Sequence, residues 1–164
     1  MAIPPISPTP RTFAPMQKLL LALALFAFAA CESKQAREDE EIILEYLAAN
    51  SLPAQSTPEG VYYVVEIEGP GPFPELSSAV TVHYEGSLTD GTVFDSSYDT
   101  GTPVTFPLSG VISGWQIGIP KFREGSSGLL VIPSSLAYGP NPPAGSGIPP
   151  NAVLVFRIEV LEVL

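Results

Sequence analysis

The chain has 164 residues, 45% of them apolar and 15% charged, with 17 acidic against seven basic side chains, a formal charge of −10 and a pI near 4.3. That length suits one domain with terminal extras, and the acidity excludes a nucleic-acid partner, because phosphate binding needs a basic face. One His and one Cys can build neither a zinc site nor an internal disulfide, and no GxxxxGK[ST] loop marks a nucleotide, so no metal or cofactor is expected.

Prolines 4, 5, 8, 10 and 15 crowd the extreme N-terminus, and Met16 is a more ordinary start than Met1. Lys18 then precedes the apolar run Leu19–Ala30, LLLALALFAFAA. It is too short to span a bilayer comfortably and the right length for the apolar core of a signal peptide. Ala29-Ala30 closes it immediately before Cys31. This resembles a bacterial lipoprotein signal, in which the Cys becomes the first mature residue and carries the lipid; Phe28 stands where that motif usually has Leu, Val or Ala. The expected division is therefore a leader over residues 1–30, a lipidated N-terminal helix and linker over 31–60, and a folded domain over 61–164. The implied location is the bacterial cell envelope, anchored by lipid and facing the periplasm or the exterior.

Glu38-Asp39-Glu40-Glu41 heads a short helix running to about Leu47, its acids suited to the positive end of the helix dipole. Ile42, Ile43, Tyr46 and Leu47 make a narrow apolar stripe, fit for docking on the domain or for a spacer more than for pairing two chains. The acid run itself reads as a solvated face. Asn50–Glu59, with Pro53 and Pro58, reads as a linker.

Val61–Glu68, VYYVVEIE, is rich in β-branched and aromatic residues and predicts a strand. From Val80 to Glu85, Val80, Val82 and Tyr84 alternate with Thr81, His83 and Glu85, the period of a half-buried strand. Asp90-Gly91 predicts a tight turn, followed by strands at Thr92–Asp95 and near Val104–Leu108. Gly114–Ile119 predicts one or two helical turns that Pro120 ends. Gly128–Ile132 is a buried strand stopped by Pro133, and Pro133–Asn151 is a long loop rich in Pro and Gly. Ala152–Leu164 is a long strand with Val153, Val155, Arg157 and Glu159 on one side and Leu154, Phe156, Ile158 and Val160 on the other. The sum is an α+β domain, a curved antiparallel β-sheet of five or six strands wrapped around one short helix.

VTVHYEGSLTDGTVFDSS, GVISGW, IPSSLAYG and GIPPNAVLVF stand in the order and near the spacing of the FKBP-type peptidyl-prolyl isomerases, and the chain resembles that family over roughly residues 75–164. The resemblance implies the same fold, with an apolar pocket between sheet and helix that binds a prolyl ring and accelerates rotation of the preceding peptide bond. Carried over position by position, it implies Tyr84, Phe94, Asp95, Trp115, Tyr138 and Phe156 as the catalytic set, and Val104, Val111, Ile112 and Ile148 as further substrate-binding walls. Trp115 would form the floor, Ile112 would offer its backbone N–H, and Tyr138 its hydroxyl. Asp95 would accept a hydrogen bond that orients Tyr138 or the substrate loop. The family position commonly held by an aromatic or larger aliphatic falls on Val104, a shallower wall. Thr100 stands where close relatives often place a basic partner for the acid.

The implied partners are proline-containing polypeptides, with macrolides as inhibitors and a membrane reached through Cys31. From pattern alone, Phe94, Val111, Ile148 and Phe156 would simply be core, and His83, opposite Tyr84 on its strand, a structural histidine. The alternative to an active isomerase is a weakly active or inactive chaperone-like module that holds proline-containing segments.

Overall fold

The computed structural model describes residues 34–164. The leader, Cys31 and the choice between Met1 and Met16 lie outside the described residues. Residues 35–164 form one compact unit.

The alternating apolar runs become strands of one antiparallel sheet. These are β1 (Gln55–Ser56), β2 (Tyr62–Ile67), β3 (Ala79–Leu88), β4 (Val93–Ser96), β5 (Val104–Pro107), β6 (Ser127–Ile132) and β7 (Leu154–Val163). The order across the sheet is β1-β2-β6-β7-β3-β4, with β5 also paired to β3. Seven strands thus stand where five or six were expected. The addition is β1, inside the presumed linker, where Gln55 and Ser56 pair with Tyr63 and Tyr62. Two exposed polar residues carry no hydrophobic period, so this strand is set by its partner alone. The Asp90-Gly91 turn forms as expected: Leu88 N–H donates to the Thr92 carbonyl at 2.9 Å and Gly91 N–H to the Leu88 carbonyl at 3.0 Å.

Strand β6 and the start of β7 are apolar on both faces because both faces are covered there, while Arg157 and Glu159 continue the outer side of β7 as polar residues. Leu130, Ile132, Leu154, Phe156, Ile158 and Val160 point into the main core with Val80, Val82, Trp115 and Phe122. Leu129, Val131, Val153 and Val155 point the other way and meet Ile43 and Leu47 of α1, the helix over residues 34–49. Helix α1 is longer than its apolar stripe predicts, and it is docked. Its buried line is Asp39, Ile43 and Leu47, spaced four residues apart, while Ile42 is 39% exposed. The acid run is therefore not a uniformly solvated face, since Asp39 is fully buried.

The second helix, α2 (Ser113–Gly118), lies on the inner side and passes directly into a 3-10 turn at Ile119–Lys121 that contains Pro120. Two glycines one turn apart let it sit tight against β6. A Cβ on Gly114 would collide with the Ile132 side chain, and one on Gly118 would lie 2.5 Å from Leu130 Cδ2. This close approach seats Trp115, the residue after Gly114, in the main core.

Candidate active site

Trp115 is 4% exposed, and three aromatic rings surround it edge-on. Tyr84 of β3, Phe106 of β5 and Phe156 of β7 have ring centroids 5.3, 5.5 and 5.2 Å from it, each at an interplanar angle of 84–85°. Such edge-to-face pairs set the positive rim of one ring against the negative face of another, at about 0.5–1.5 kcal/mol each beyond their burial. Phe94 of β4 extends the box by packing edge-on against Phe156 at 5.7 Å. Gly86 of β3 makes that possible, because a Cβ there would lie 2.6 Å from Phe94 and 2.9 Å from Phe156. Trp115 Nε1 is buried with no hydrogen-bond partner among the described residues, which costs about 1–3 kcal/mol relative to a paired donor.

The polar rim is set by β3 and β4. Tyr84 Oη–H donates to Asp95 Oδ2 at 2.6 Å, a short bond typical of a hydroxyl facing a carboxylate. Desolvation first, then this bond and the nearby negative charge, push the Tyr84 hydroxyl well above the ordinary tyrosine value, so it stays a donor throughout the neutral range. Asp95 therefore orients Tyr84, in place of the expected Tyr138 or substrate loop, and its own side is exposed. Ser97 fixes the tyrosine from behind: Tyr84 N–H donates to Ser97 Oγ at 2.8 Å, and His83 Nδ1 lies 2.9 Å from the same oxygen. His83 also stacks on Tyr98 at 4.7 Å. Thr100 serves the turn, its Oγ1–H donating to the Ser97 carbonyl at 3.1 Å.

Val111 and Ile112, leading into α2, are half-buried against the main core, and Ile148 joins its buried part. Ile112 is the N-cap of α2, so its N–H has no acceptor within the helix. Tyr138 is 36% exposed in the turn after β6. Val104 stands half-buried in β5, two residues before Phe106 on the same face. It is Phe106 that reaches Trp115. The alternation Val104, Phe106 signalled a shared face, but nothing in it told which residue meets the helix.

A separate surface depression of about 440 Å³, with Tyr63, Glu66, Phe73, Lys121 and Arg123 in its walls, shares no residue with this box. Arg123 and Glu66 there are already paired, with Glu68 and Arg157 respectively. Of the two, the aromatic box is the better candidate, because it combines an apolar floor with hydrogen-bonding groups at its rim.

The family model of the FKBP-type peptidyl-prolyl cis-trans isomerases matches residues 71–161, more than half the chain. An FKBP-type peptidyl-prolyl cis-trans isomerase, FkpA, of Aeromonas hydrophila is 49% identical over 132 residues, covering 79% of this chain and 48% of that protein. The crystal structure of FkpA from Escherichia coli superposes with a TM-score of 0.66 at 34% identity, covering 90% of this chain and 71% of the other. A peptidyl-prolyl cis-trans isomerase from Pseudomonas syringae pv. tomato gives a TM-score of 0.69 at 32% identity, covering 80% and 94%. The chain spans about half the length of the curated relatives it matches. Fold, aromatic box and these likenesses agree: the chain belongs to the FKBP-type peptidyl-prolyl cis-trans isomerase family.

Proposed function

We propose that this chain accelerates rotation about Xaa-Pro peptide bonds in exported polypeptides, with the prolyl ring seated on Trp115. The observation that carries the reading is the box itself: one buried indole enclosed by Tyr84, Phe106 and Phe156, with Phe94 beyond. Amide rotation is opposed by about 18–20 kcal/mol of resonance, and uncatalysed X-Pro bonds take tens to hundreds of seconds. A twisted amide loses carbonyl polarity, so an apolar box disfavours it less than the planar form, which water solvates well. Differential binding of the twisted state lowers the barrier without nucleophile or proton relay.

In this reading Phe156, Val111 and Ile148 wall the ring, and Val104 lies at the margin. Ile112 N–H and the Tyr138 hydroxyl donate to the substrate's carbonyls, and the Tyr84–Asp95 pair keeps one wall rigid. Macrolides that bury an apolar ring would compete for the same floor.

We further propose that the chain is held at the cell envelope by lipid on Cys31, the reading supported by the apolar run and small residues that precede it. Growth with labelled palmitate should tag the protein, and Cys31→Ala should abolish the tag; labelling that persists in the variant contradicts the anchor. For the activity, a protease-coupled assay on short Xaa-Pro peptides should show a rate proportional to protein concentration. Rates no faster than background would leave a proline-binding module without turnover.

A further inference from the structure

Asp39 is the single charged residue among the buried polar side chains of the described residues. Burying a carboxylate costs several kcal/mol unless hydrogen bonds replace its water. Here they do. Gln35 Nε2 donates to Oδ1 at 2.8 Å, and Ser134 donates to Oδ2 twice, from N–H at 2.8 Å and from Oγ–H at 2.7 Å. Two of the three bonds thus come from one residue 95 positions away in sequence. They are charge-assisted, the strong class of hydrogen bond.

Ser134 is where β6 hands over to the long loop that carries Tyr138 and Ile148. Its carbonyl accepts from Ala137 N–H at 3.1 Å and Gly139 N–H at 2.9 Å, the residues on either side of Tyr138. The Gly139 carbonyl then accepts from Asn151 N–H at 2.8 Å, which draws the far end of the loop to its root. Between these points the loop is mostly exposed, with Ile148 as its buried residue. Asp39, on the helix that covers the outer face of the sheet, therefore holds the root of a loop whose Ile148 packs into the main core with Trp115 and Phe156 on the inner face.

We propose that Asp39 is a positioning residue for the isomerase site: its carboxylate fixes Ser134 and so pre-orders the turn that presents Tyr138 and the loop that presents Ile148. The inference rests on the reading of the aromatic box given above. A loop ordered before binding spares the substrate the entropy of ordering it, in the ground state and the transition state alike. Loss of the latch should therefore appear as weaker binding with the turnover step preserved.

The test uses the full chain with Asp39→Ala, Asp39→Asn and Ser134→Ala, the last of which keeps the Ser134 N–H bond. Amide hydrogen exchange is read without substrate, and kcat and KM are read on an Xaa-Pro peptide. Asp39→Ala should speed exchange over residues 134–151 by about tenfold while β3 and β7 stay protected. It should raise KM about fivefold to tenfold with kcat within about twofold of the parent. Ser134→Ala and Asp39→Asn should shift both readouts in the same direction by about twofold to threefold, and they carry the test should Asp39→Ala not fold.

A purely structural role gives a different pattern: exchange rising across the whole sheet, and an apparent kcat falling with the folded fraction at constant KM. That pattern overturns the proposal, as does unchanged loop exchange or a loosened loop with unchanged KM. A parent chain that shows no isomerase activity would instead refute the underlying reading of the box, and the exchange data distinguish the two failures.

Discussion

Phe94→Ala removes the outermost ring of the box and leaves the floor in place. Truncating a fully buried Phe costs about 3–5 kcal/mol. Phe94 is half-buried on the edge strand β4, with Phe156 as its one ring partner among the described residues. About half the full cost is expected, roughly 2 kcal/mol, including about 0.5–1.5 kcal/mol for the lost edge-to-face pair. A domain with typical stability of about 5–15 kcal/mol survives that loss, and its melting temperature should fall by roughly 5–10 °C. The substrate loses an apolar wall worth about 1–1.5 kcal/mol, so kcat/KM should fall about tenfold. Circular dichroism at 25 °C establishes the folded state, and a protease-coupled Xaa-Pro assay gives the rate. A variant that is unfolded at 25 °C would make Phe94 a core residue first. A folded variant with kcat/KM within twofold of the parent would remove it from the site.

Gly114→Ala sets helix propensity, a gain of about 1 kcal/mol, against overpacking on the buried Ile132, a loss of about 1–3 kcal/mol; the clash at Ile132 should win, and a raised melting temperature would show that α2 does not need its glycine face. The Tyr84 hydroxyl titrates above the ordinary value of 10.0. Its contribution to stability is therefore fully present below about pH 10 and lost as pH climbs through the raised folded value. Tyr84→Phe should accordingly differ from the parent by a constant amount between pH 6 and pH 9, and that difference should shrink above about pH 10 in denaturation series. A difference that shrinks below pH 9 contradicts the assignment.

Much of this was legible in the sequence because period-2 patterns report which faces are covered. In β7, Leu154, Phe156, Ile158 and Val160 fill the inner core as their alternation predicts, and Val155, with Val153 just before the strand, meets helix α1 on the other side. The Asp90-Gly91 turn and the helix stop near Pro120 are local chemistry, readable from a few residues. What escaped depends on partners distant in the chain. Asp39 sits among exposed glutamates, and only Ser134, 95 residues on, explains its burial. Strand β1 is two polar residues whose conformation is imposed by β2. Asp95 is expected from the sequence to orient Tyr138 or the substrate loop, and the close pairing of β3 with β4, with Gly86 opposite Asp95, brings it to the Tyr84 hydroxyl in their place. Phe106, rather than Val104, meets Trp115 because of where α2 crosses the sheet, which alternation does not encode.

The central claim is that a dry box floored by Trp115 accelerates prolyl rotation. Exchange NMR on an Xaa-Pro peptide at equilibrium tests it without a protease, by reading the cis–trans exchange rate directly. The full chain should raise that rate well above the uncatalysed one, and Trp115→Leu, verified as folded by circular dichroism, should return it close to the peptide's own value. A parent chain that leaves the rate unchanged, or a folded Trp115→Leu variant that retains the acceleration, would contradict the account.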